Sequence, residues 1–114
     1  MKIVTKPWGY EVIWAHTHAY VGKILHVKAG HSLSLQYHEV KDETIYIHSG
    51  SISFEHYLEG EDPRTVVLTP GMEFRITPRR RHRMTALEDT DILEASTPEL
   101  DDVVRLEDNY GRVK

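Results

Sequence analysis

The sequence predicts an all-β protein. Apolar residues recur at every second position far more often than at every third or fourth, which favours strands over amphipathic helices. Turn-forming residues such as Gly30, the Ser49-Gly50 pair and the Pro70-Gly71 pair recur about every eight to twelve residues, a spacing typical of sandwiches and small barrels. The alternation predicts nine strands, at residues 10–14, 20–28, 32–38, 44–48, 51–57, 65–69, 72–77, 82–87 and 91–95.

Size, charge and cysteine content limit the classes of function. A chain of 114 residues predicts a single domain over residues 1–114. With 14 basic and 18 acidic residues, the formal net charge of −4 argues against nucleic-acid binding. Apolar runs are too short to span a bilayer and the first residues lack the apolar segment of a signal peptide, so we expect no membrane contact and a cytoplasmic location. The sequence contains eight histidines and no cysteine, so any bound metal ion must be held by nitrogen and oxygen ligands.

The strands predicted at 32–38 and 44–48 indicate a polar pocket. In the first, polar and apolar side chains alternate, so that Gln36 and His38 fall on one polar face. Next to the second, Glu43 begins a row that continues with an isoleucine at every second position. A carboxylate at the start of an apolar row is expected where that row lines a barrel with a polar pocket near its mouth.

The polar residues around these strands have the chemistry of a metal site. Residues i and i+2 of a strand point the same way, so Gln36 and His38 can offer an amide oxygen and an imidazole nitrogen to one ion. A turn then returns the carboxylate of Glu43, and a later strand brings a second imidazole from His82. Four N and O ligands leave coordination positions open for water or substrate, as catalytic metal sites do.

The same residues carry a resemblance to the cupin superfamily. The spacing of the first cupin motif is met by Gly30, Gln36, His38, Glu43 and Gly50, and that of the second by Pro70, Gly71, Pro78 and His82. Over residues 6–112 the chain further resembles the small cupin of type II mannose-6-phosphate isomerases, also found as the C-terminal domain of mannose-1-phosphate guanylyltransferases. This likeness rests on the segments KPWGYEV at 6–12, LSLQYH at 33–38 and VRLEDNYGR at 104–112. The resemblance implies a cupin double-stranded β-helix, which is a jelly-roll barrel.

The resemblance also implies a metal-dependent sugar-phosphate isomerase. The segment between His38 and Glu43 departs from the guanylyltransferase-linked pattern, and its Lys41 is similar to a lysine that accompanies the metal ligands in other sugar isomerase cupins. Aldose–ketose isomerisation moves a proton between neighbouring carbons, and the candidate bases are Glu11, Lys41 and Glu94. Two other classes of function stay open: a non-catalytic module that binds a sugar or sugar nucleotide in polysaccharide synthesis, and an iron-dependent oxygenase.

Further expectations concern the ion, the substrate and the partner. The four candidate ligands would hold one divalent ion, which is zinc, manganese, nickel or iron. Arg80 and Arg83 flank His82 and are candidates for binding a phosphate or a nucleotide diphosphate at the barrel mouth. By resemblance to small cupins, which pair sheet edges or exchange terminal strands, we expect a homodimer that binds a sugar phosphate or sugar nucleotide.

Overall fold

The structure is a computed structural model that describes residues 1–57 and 60–113, and these residues form strands and no helix. The strands are β1 (Lys2–Lys6), β2 (Gly9–His16), β3 (Val21–Val27), β4 (Leu35–Tyr37), β5 (Glu43–Ser49), β6 (Ile52–His56), β7 (Arg64–Leu68), β8 (Glu73–Ile76), β9 (His82–Ala86), β10 (Thr90–Ser96) and β11 (Val104–Glu107). Each of the nine predicted strands overlaps one of them, so the all-β prediction is confirmed. In this part of the chain, no helix is long and apolar enough to cross a membrane.

The strands form two antiparallel sheets. Six strands pair in the order β1-β2-β3-β10-β5-β8, and five pair in the order β11-β4-β9-β6-β7. Because β10 lies between β3 and β5, and β9 lies between β4 and β6, strands from the two halves of the chain interleave in both sheets. The interleaving brings residues around position 40 next to residues around positions 80 and 94.

Apolar side chains fill one end of the space between the sheets. Ile45, Ile47 and Ile92 of the six-stranded sheet belong to the same buried cluster as Ile52 and Phe54 of the five-stranded sheet, and all five have no exposed surface. Burying a side chain of this size contributes about 1.5–3 kcal/mol. This cluster holds the sheets together and leaves the other end of the interior to polar residues.

Three features of the strands differ from the prediction. The sequence does not predict β1 or β11, each of which lies at one edge of its sheet and pairs on one side only. Their alternation is weak because an edge strand buries little: three of the five residues of β1 are exposed, and the pairing of β11 shifts register between Arg105 and Glu107. The strand predicted at 32–38 is reduced to β4, and Ser32 adds only an isolated bridge to Thr85.

Candidate metal centre and cavity

Two histidines and one glutamate converge at the polar end of the interior. His38 directly follows β4, Glu43 is the first residue of β5, and His82 is the first residue of β9. The Nε2 atom of His38 lies 3.1 Å from Oε1 of Glu43, and Nε2 of His82 lies 3.7 Å from the same oxygen. All three residues are buried, and their candidate ligand atoms lie within 4.8 Å of one another. This His–Glu–His cluster can hold a metal ion.

The hydrogen bonds of the two imidazoles fix which nitrogens face the centre of the cluster. Nδ1 of His38 donates to the backbone carbonyl of Asp102 at 2.6 Å, and Nδ1 of His82 donates to the carbonyl of Arg80 at 2.9 Å. A carbonyl only accepts, so both Nδ1 atoms carry a hydrogen, and in a neutral ring Nε2 then presents a lone pair. Burial lowers the pKa of His82 to about 4, so this ring is neutral at pH 7, and its buried Nε2 has no hydrogen-bond partner.

The chemistry of this donor set fits a divalent cation. The neutral Nε2 of His82 presents a lone pair 3.7 Å from Oε1 of Glu43, and two such acceptors approach one another favourably when a cation lies between them. Nε2 of His38 forms a 3.1 Å hydrogen bond with the same oxygen, and a bound cation would replace this contact. Burial alone would raise the pKa of Glu43, but the contact with His38 and the charge of Lys41 outweigh it and hold that pKa well below its usual range. The carboxylate is therefore ionised, as a metal ligand must be.

Gln36, the fourth predicted ligand, lies beside the cluster. It is opposite His82 in the pairing of β4 with β9, so the two side chains project from the same face of the sheet. Its Oε1 accepts a hydrogen bond from the hydroxyl of Ser34 at 2.6 Å, and its side chain lines the adjoining cavity. The role of Gln36 as a ligand stays a prediction.

Lys41 connects the cluster to a second buried carboxylate. Its Nζ lies 3.3 Å from Oε2 of Glu43 and 3.0 Å from Oε2 of Glu94. Burial opposes its charge, but the two carboxylates outweigh burial and raise the pKa of Lys41 above its usual range, so the group is an ammonium. Burial and the charge of Glu43 together raise the pKa of Glu94 to about 7. A carboxyl with that pKa exchanges its proton readily near neutral pH.

The third predicted base, Glu11, lies further along the same wall. Glu11 is on β2, and its Oε1 lies 3.5 Å from Nζ of Lys23 on β3. Lys23 is in turn directly opposite Glu94 in the pairing of β3 with β10. The structure therefore brings all three candidate bases to one cavity, and of these Glu94 and Lys41 lie at the His–Glu–His cluster.

A cavity of about 500 Å³ opens between the two sheets beside the cluster. This volume suits one small molecule. His38 and Glu43 line the cavity directly, whereas His82, which is 1% exposed, contacts Glu43 from the interior. Its charged lining consists of Lys2, Lys6, Glu11, Lys23, Lys41, Glu43, Glu94, Asp101, Arg105 and Arg112.

The structure does not bring Arg80 and Arg83 to this cavity. Arg83 lies between His82 and Met84, which are both buried, so alternation along β9 turns it outward, where it pairs with Glu107 at 2.9 Å. Arg80 precedes β9, and its guanidinium lies over the ring of Phe74 at 5.6 Å from the centroid. The basic residues that line the cavity come from β1, β3, β11 and two loops instead.

The loop that carries Asp102 positions the cluster, and the sequence reasoning missed it. The carboxylate of Asp102 accepts hydrogen bonds from the backbone N–H groups of Glu39, Val40 and Lys41 at 2.9, 2.8 and 2.9 Å. Its carbonyl orients His38, as described above. An orienting group of this kind fixes the tautomer and direction of a metal-binding imidazole. These contacts join residues more than 60 positions apart, so a local sequence pattern cannot predict them.

Comparison with known proteins identifies the architecture. No protein-family model and no curated protein matches the chain. Among solved structures, the KdgF protein of a Halomonas species is similar at 25% identity with a TM-score of 0.70, over 89% of this chain and 91% of its own. An RmlC-like cupin from Shewanella frigidimarina is similar at 16% identity with a TM-score of 0.71, over 88% and 86%. The chain has a cupin fold.

A larger protein contains the same fold as one part. Oxalate decarboxylase from Bacillus subtilis is similar at 17% identity with a TM-score of 0.78, and the match covers 92% of this chain but 30% of the decarboxylase. The predicted double-stranded β-helix is thus confirmed, and the finer likeness to mannose-6-phosphate isomerases stays a prediction. Both glycines that bound the first cupin motif have a left-handed backbone, with φ of 81° at Gly30 and 86° at Gly50, which explains why these turns contain glycine.

Proposed function

We propose that this cupin is a metal-dependent isomerase that moves a proton between neighbouring carbons of a small sugar derivative, as in aldose–ketose isomerisation. One observation carries the proposal: two imidazole nitrogens and a carboxylate oxygen converge on the wall of a cavity that also contains a buried lysine–glutamate pair. Isomerisation needs an electrophile at the substrate oxygens and a proton carrier at the neighbouring carbons. An ion held by the two imidazoles and the carboxylate would supply the electrophile, and the lysine–glutamate pair would supply the proton carrier.

In this proposal His38, Glu43 and His82 hold the ion, with Gln36 as the candidate fourth ligand. A bound divalent ion would polarise the carbonyl and hydroxyl oxygens of the sugar. Zinc, manganese, nickel and iron all suit mixed imidazole and oxygen ligands. The cavity side of the cluster is the side on which a substrate oxygen approaches, because His38 and Glu43 line the cavity there.

Glu94 is the proposed proton carrier. Of the three candidate bases, Lys41 is held as an ammonium between two carboxylates and Glu11 lies at the more distant Lys23. Glu94 touches the same ammonium group as the candidate ligand Glu43 and lines the cavity. Its carboxylate would take the proton from one carbon and return it to the next, while Lys41 keeps the negative charge of Glu94 compensated.

The metal part of the proposal is tested by elemental analysis. Protein purified without an affinity tag should contain close to one divalent ion per chain, and the double variant Gln36→Ala, His38→Ala should contain almost none. His48→Ala is the matched control, because His48 is exposed on β5 and outside the cluster. A double variant that retains the metal content of the wild type would refute the site.

The catalytic part is tested by hydrogen exchange in heavy water. Metal-loaded protein should introduce deuterium next to the carbonyl carbon of mannose 6-phosphate, fructose 6-phosphate or another hexose or pentose derivative. Glu94→Gln should slow this exchange by about a hundredfold or more, within the range that acid–base catalysis contributes. The matched control is Glu73→Gln, which changes an exposed glutamate on β8.

The alternatives are distinguished by the same protein samples. Tight binding of a sugar or sugar nucleotide without exchange in any substrate would replace the isomerase by a non-catalytic binding module. Oxygen uptake by the iron-loaded form alone would replace it by an iron-dependent oxygenase. The homodimer is a separate proposal, supported by the single-sided pairing of edge strand β1, and a monomer in light scattering would contradict it.

A further inference from the structure

Positive charge is concentrated on the part of the cavity near edge strands β1 and β11. Lys6 on β1 and Arg105 on β11 lie there together with Lys23 on β3 and Arg112 in the C-terminal loop. We call these four residues the cationic wall. Its members belong to different elements of both sheets. The fold therefore brings them together, and they do not form a charged run in the sequence.

Two members of the cationic wall are paired and two are not. Lys23 pairs with Glu11 at 3.5 Å, and Nε of Arg112 lies 2.9 Å from the carboxylate of Asp108. Within residues 1–57 and 60–113, neither Lys6 nor Arg105 forms an ion pair. The Nε atom of Arg105 is buried and has no hydrogen-bond partner in the same part of the chain. Burial, followed by the charges of Lys23, Arg105 and Arg112, lowers the pKa of Lys6 although Glu11 opposes this.

Two cationic side chains without an ion-pair partner in a cavity require a physical explanation. Both residues are half-buried, and the buried Nε of Arg105 is a donor of the kind that folded proteins nearly always satisfy. A ligand can satisfy it by supplying negative charge and accepting hydrogen bonds, since guanidinium and ammonium groups bind phosphates and carboxylates strongly. Lys6 and Arg105 thus have the properties of anion ligands whose partner comes from outside the chain.

The distance from this wall to the cluster suits one small molecule. Arg105 is opposite Gln36 in the pairing of β11 with β4, and Gln36 is opposite His82 in the pairing of β4 with β9. Arg105 and His82 are therefore two strand spacings apart, or about 10 Å between backbones. Both side chains extend toward the same interior, so a molecule the size of a hexose derivative can reach from one to the other.

We propose that the cationic wall, through Lys6 and Arg105, binds an anionic group of the substrate, a phosphate or a carboxylate, while the carbonyl end of the substrate lies at the His–Glu–His cluster. This inference deepens the proposed isomerase function and rests on it for the placement of the carbonyl end. It names the substrate class as a sugar phosphate or a sugar acid. It also assigns the anion-binding role to residues other than Arg80 and Arg83.

The test compares three sugars of one skeleton by calorimetric titration: mannose, mannose 6-phosphate and mannuronate. The titrations use metal-loaded Glu94→Gln protein, in which turnover is blocked, alone and combined with Arg105→Gln or Lys6→Gln. Arg64→Gln and Lys28→Gln are matched controls, because both residues are exposed and outside the cavity lining. The thermal unfolding midpoint of each variant shows that it is folded.

We expect at least one anionic sugar to bind ten or more times more tightly than mannose, which corresponds to about 1.4 kcal/mol. Arg105→Gln and Lys6→Gln should each remove most of this preference and leave mannose unchanged, whereas the two controls keep it. The anionic sugar that loses more affinity identifies the group as a phosphate or a carboxylate.

Two results would overturn the proposal. The first is equal affinity for all three sugars in the parent protein. The second is a loss of affinity in Arg105→Gln that is as large for mannose as for the anionic sugars. Failure of the isomerase function is distinguishable, because it appears as absent deuterium exchange in the wild type and does not alter these affinity ratios.

Discussion

The buried imidazole of His82 should make the metal-free protein sensitive to acid. Its pKa is about 4 in the folded protein against an ordinary value of 6.5, because burial disfavours the charged ring. Between these two pH values the unfolded chain binds a proton that the folded chain does not. The free energy of unfolding therefore falls as the pH is lowered through this window, and it recovers as the pH rises above 6.5.

The size of the effect follows from the same two values. One unit of pKa difference corresponds to about 1.4 kcal/mol, so the full contribution of His82 is about 3 kcal/mol. About 2 kcal/mol of it should be lost between pH 6.5 and pH 4.5, since protonation of the unfolded chain is already partial at pH 6.5. Glu94 acts in the opposite direction, because its raised pKa favours the folded state at low pH.

A variant isolates the contribution of His82 from that of other groups. His82→Asn keeps an N–H donor for the carbonyl of Arg80 but does not titrate. Urea unfolding with a chelator present, at pH 6.5, 5.5 and 4.5, gives the free energy of unfolding for wild type and variant. The wild type should lose about 2 kcal/mol more than His82→Asn over this range, and His48→Asn, at an exposed position, should behave as the wild type does.

Equal losses in wild type and His82→Asn would refute the reasoning. They would mean that the imidazole is not buried as a neutral ring, and its Nε2 would then not present the lone pair that the metal site requires. The free energy of unfolding can also be measured without chelator. Added zinc should raise the stability of the wild type at pH 6.5 and leave His82→Asn unchanged.

Four further outcomes are expected. His38→Ala should reduce the metal content from about one ion per chain to a small fraction, measured by elemental analysis. Glu94→Gln should retain the metal and lose about a hundredfold or more of the deuterium exchange rate, and parallel loss of both would contradict its role as proton carrier. Asp102→Ala should lower the free energy of unfolding by about 1–3 kcal/mol, because three backbone N–H groups lose their acceptor. Gly50→Ala should cost about 2 kcal/mol more than Gly30→Ala in urea unfolding, since a Cβ at position 50 would lie 2.4 Å from neighbouring atoms whereas a Cβ at position 30 meets nothing within 4 Å.

The convergence of the cluster could be predicted because it depends on short spacings. Residues two apart on a strand share a face, which brings His38 to the face of Gln36, and the turn before β5 is short enough to return Glu43 to the same place. The position of His82 could not be predicted from spacing alone, because the local sequence does not show that β9 pairs with β4. The resemblance to cupin motifs supplied that long-range pairing.

Other parts of the site could not be predicted because they depend on contacts between distant segments. Lys6 and Arg105 lie on edge strands whose alternation is too weak to reveal which residues face inward. The outward direction of Arg83 does follow from alternation once β9 is known to start at His82. Alternation left Arg80 undetermined, because its direction depends on where that strand begins.

The two oxygens of Glu43 make separate contacts. Oε1 faces the imidazole nitrogens of His38 and His82, whereas Oε2 faces the ammonium of Lys41. A cation bound at Oε1 would therefore leave the contact with Lys41 in place, and Lys41 would continue to hold Glu94 at 3.0 Å. The proposed metal side and the proposed proton-transfer side are joined through one carboxylate without competing for the same atom. This division would let a lysine remain buried beside the proposed cation site, since it compensates the carboxylate oxygens that the ion would not use.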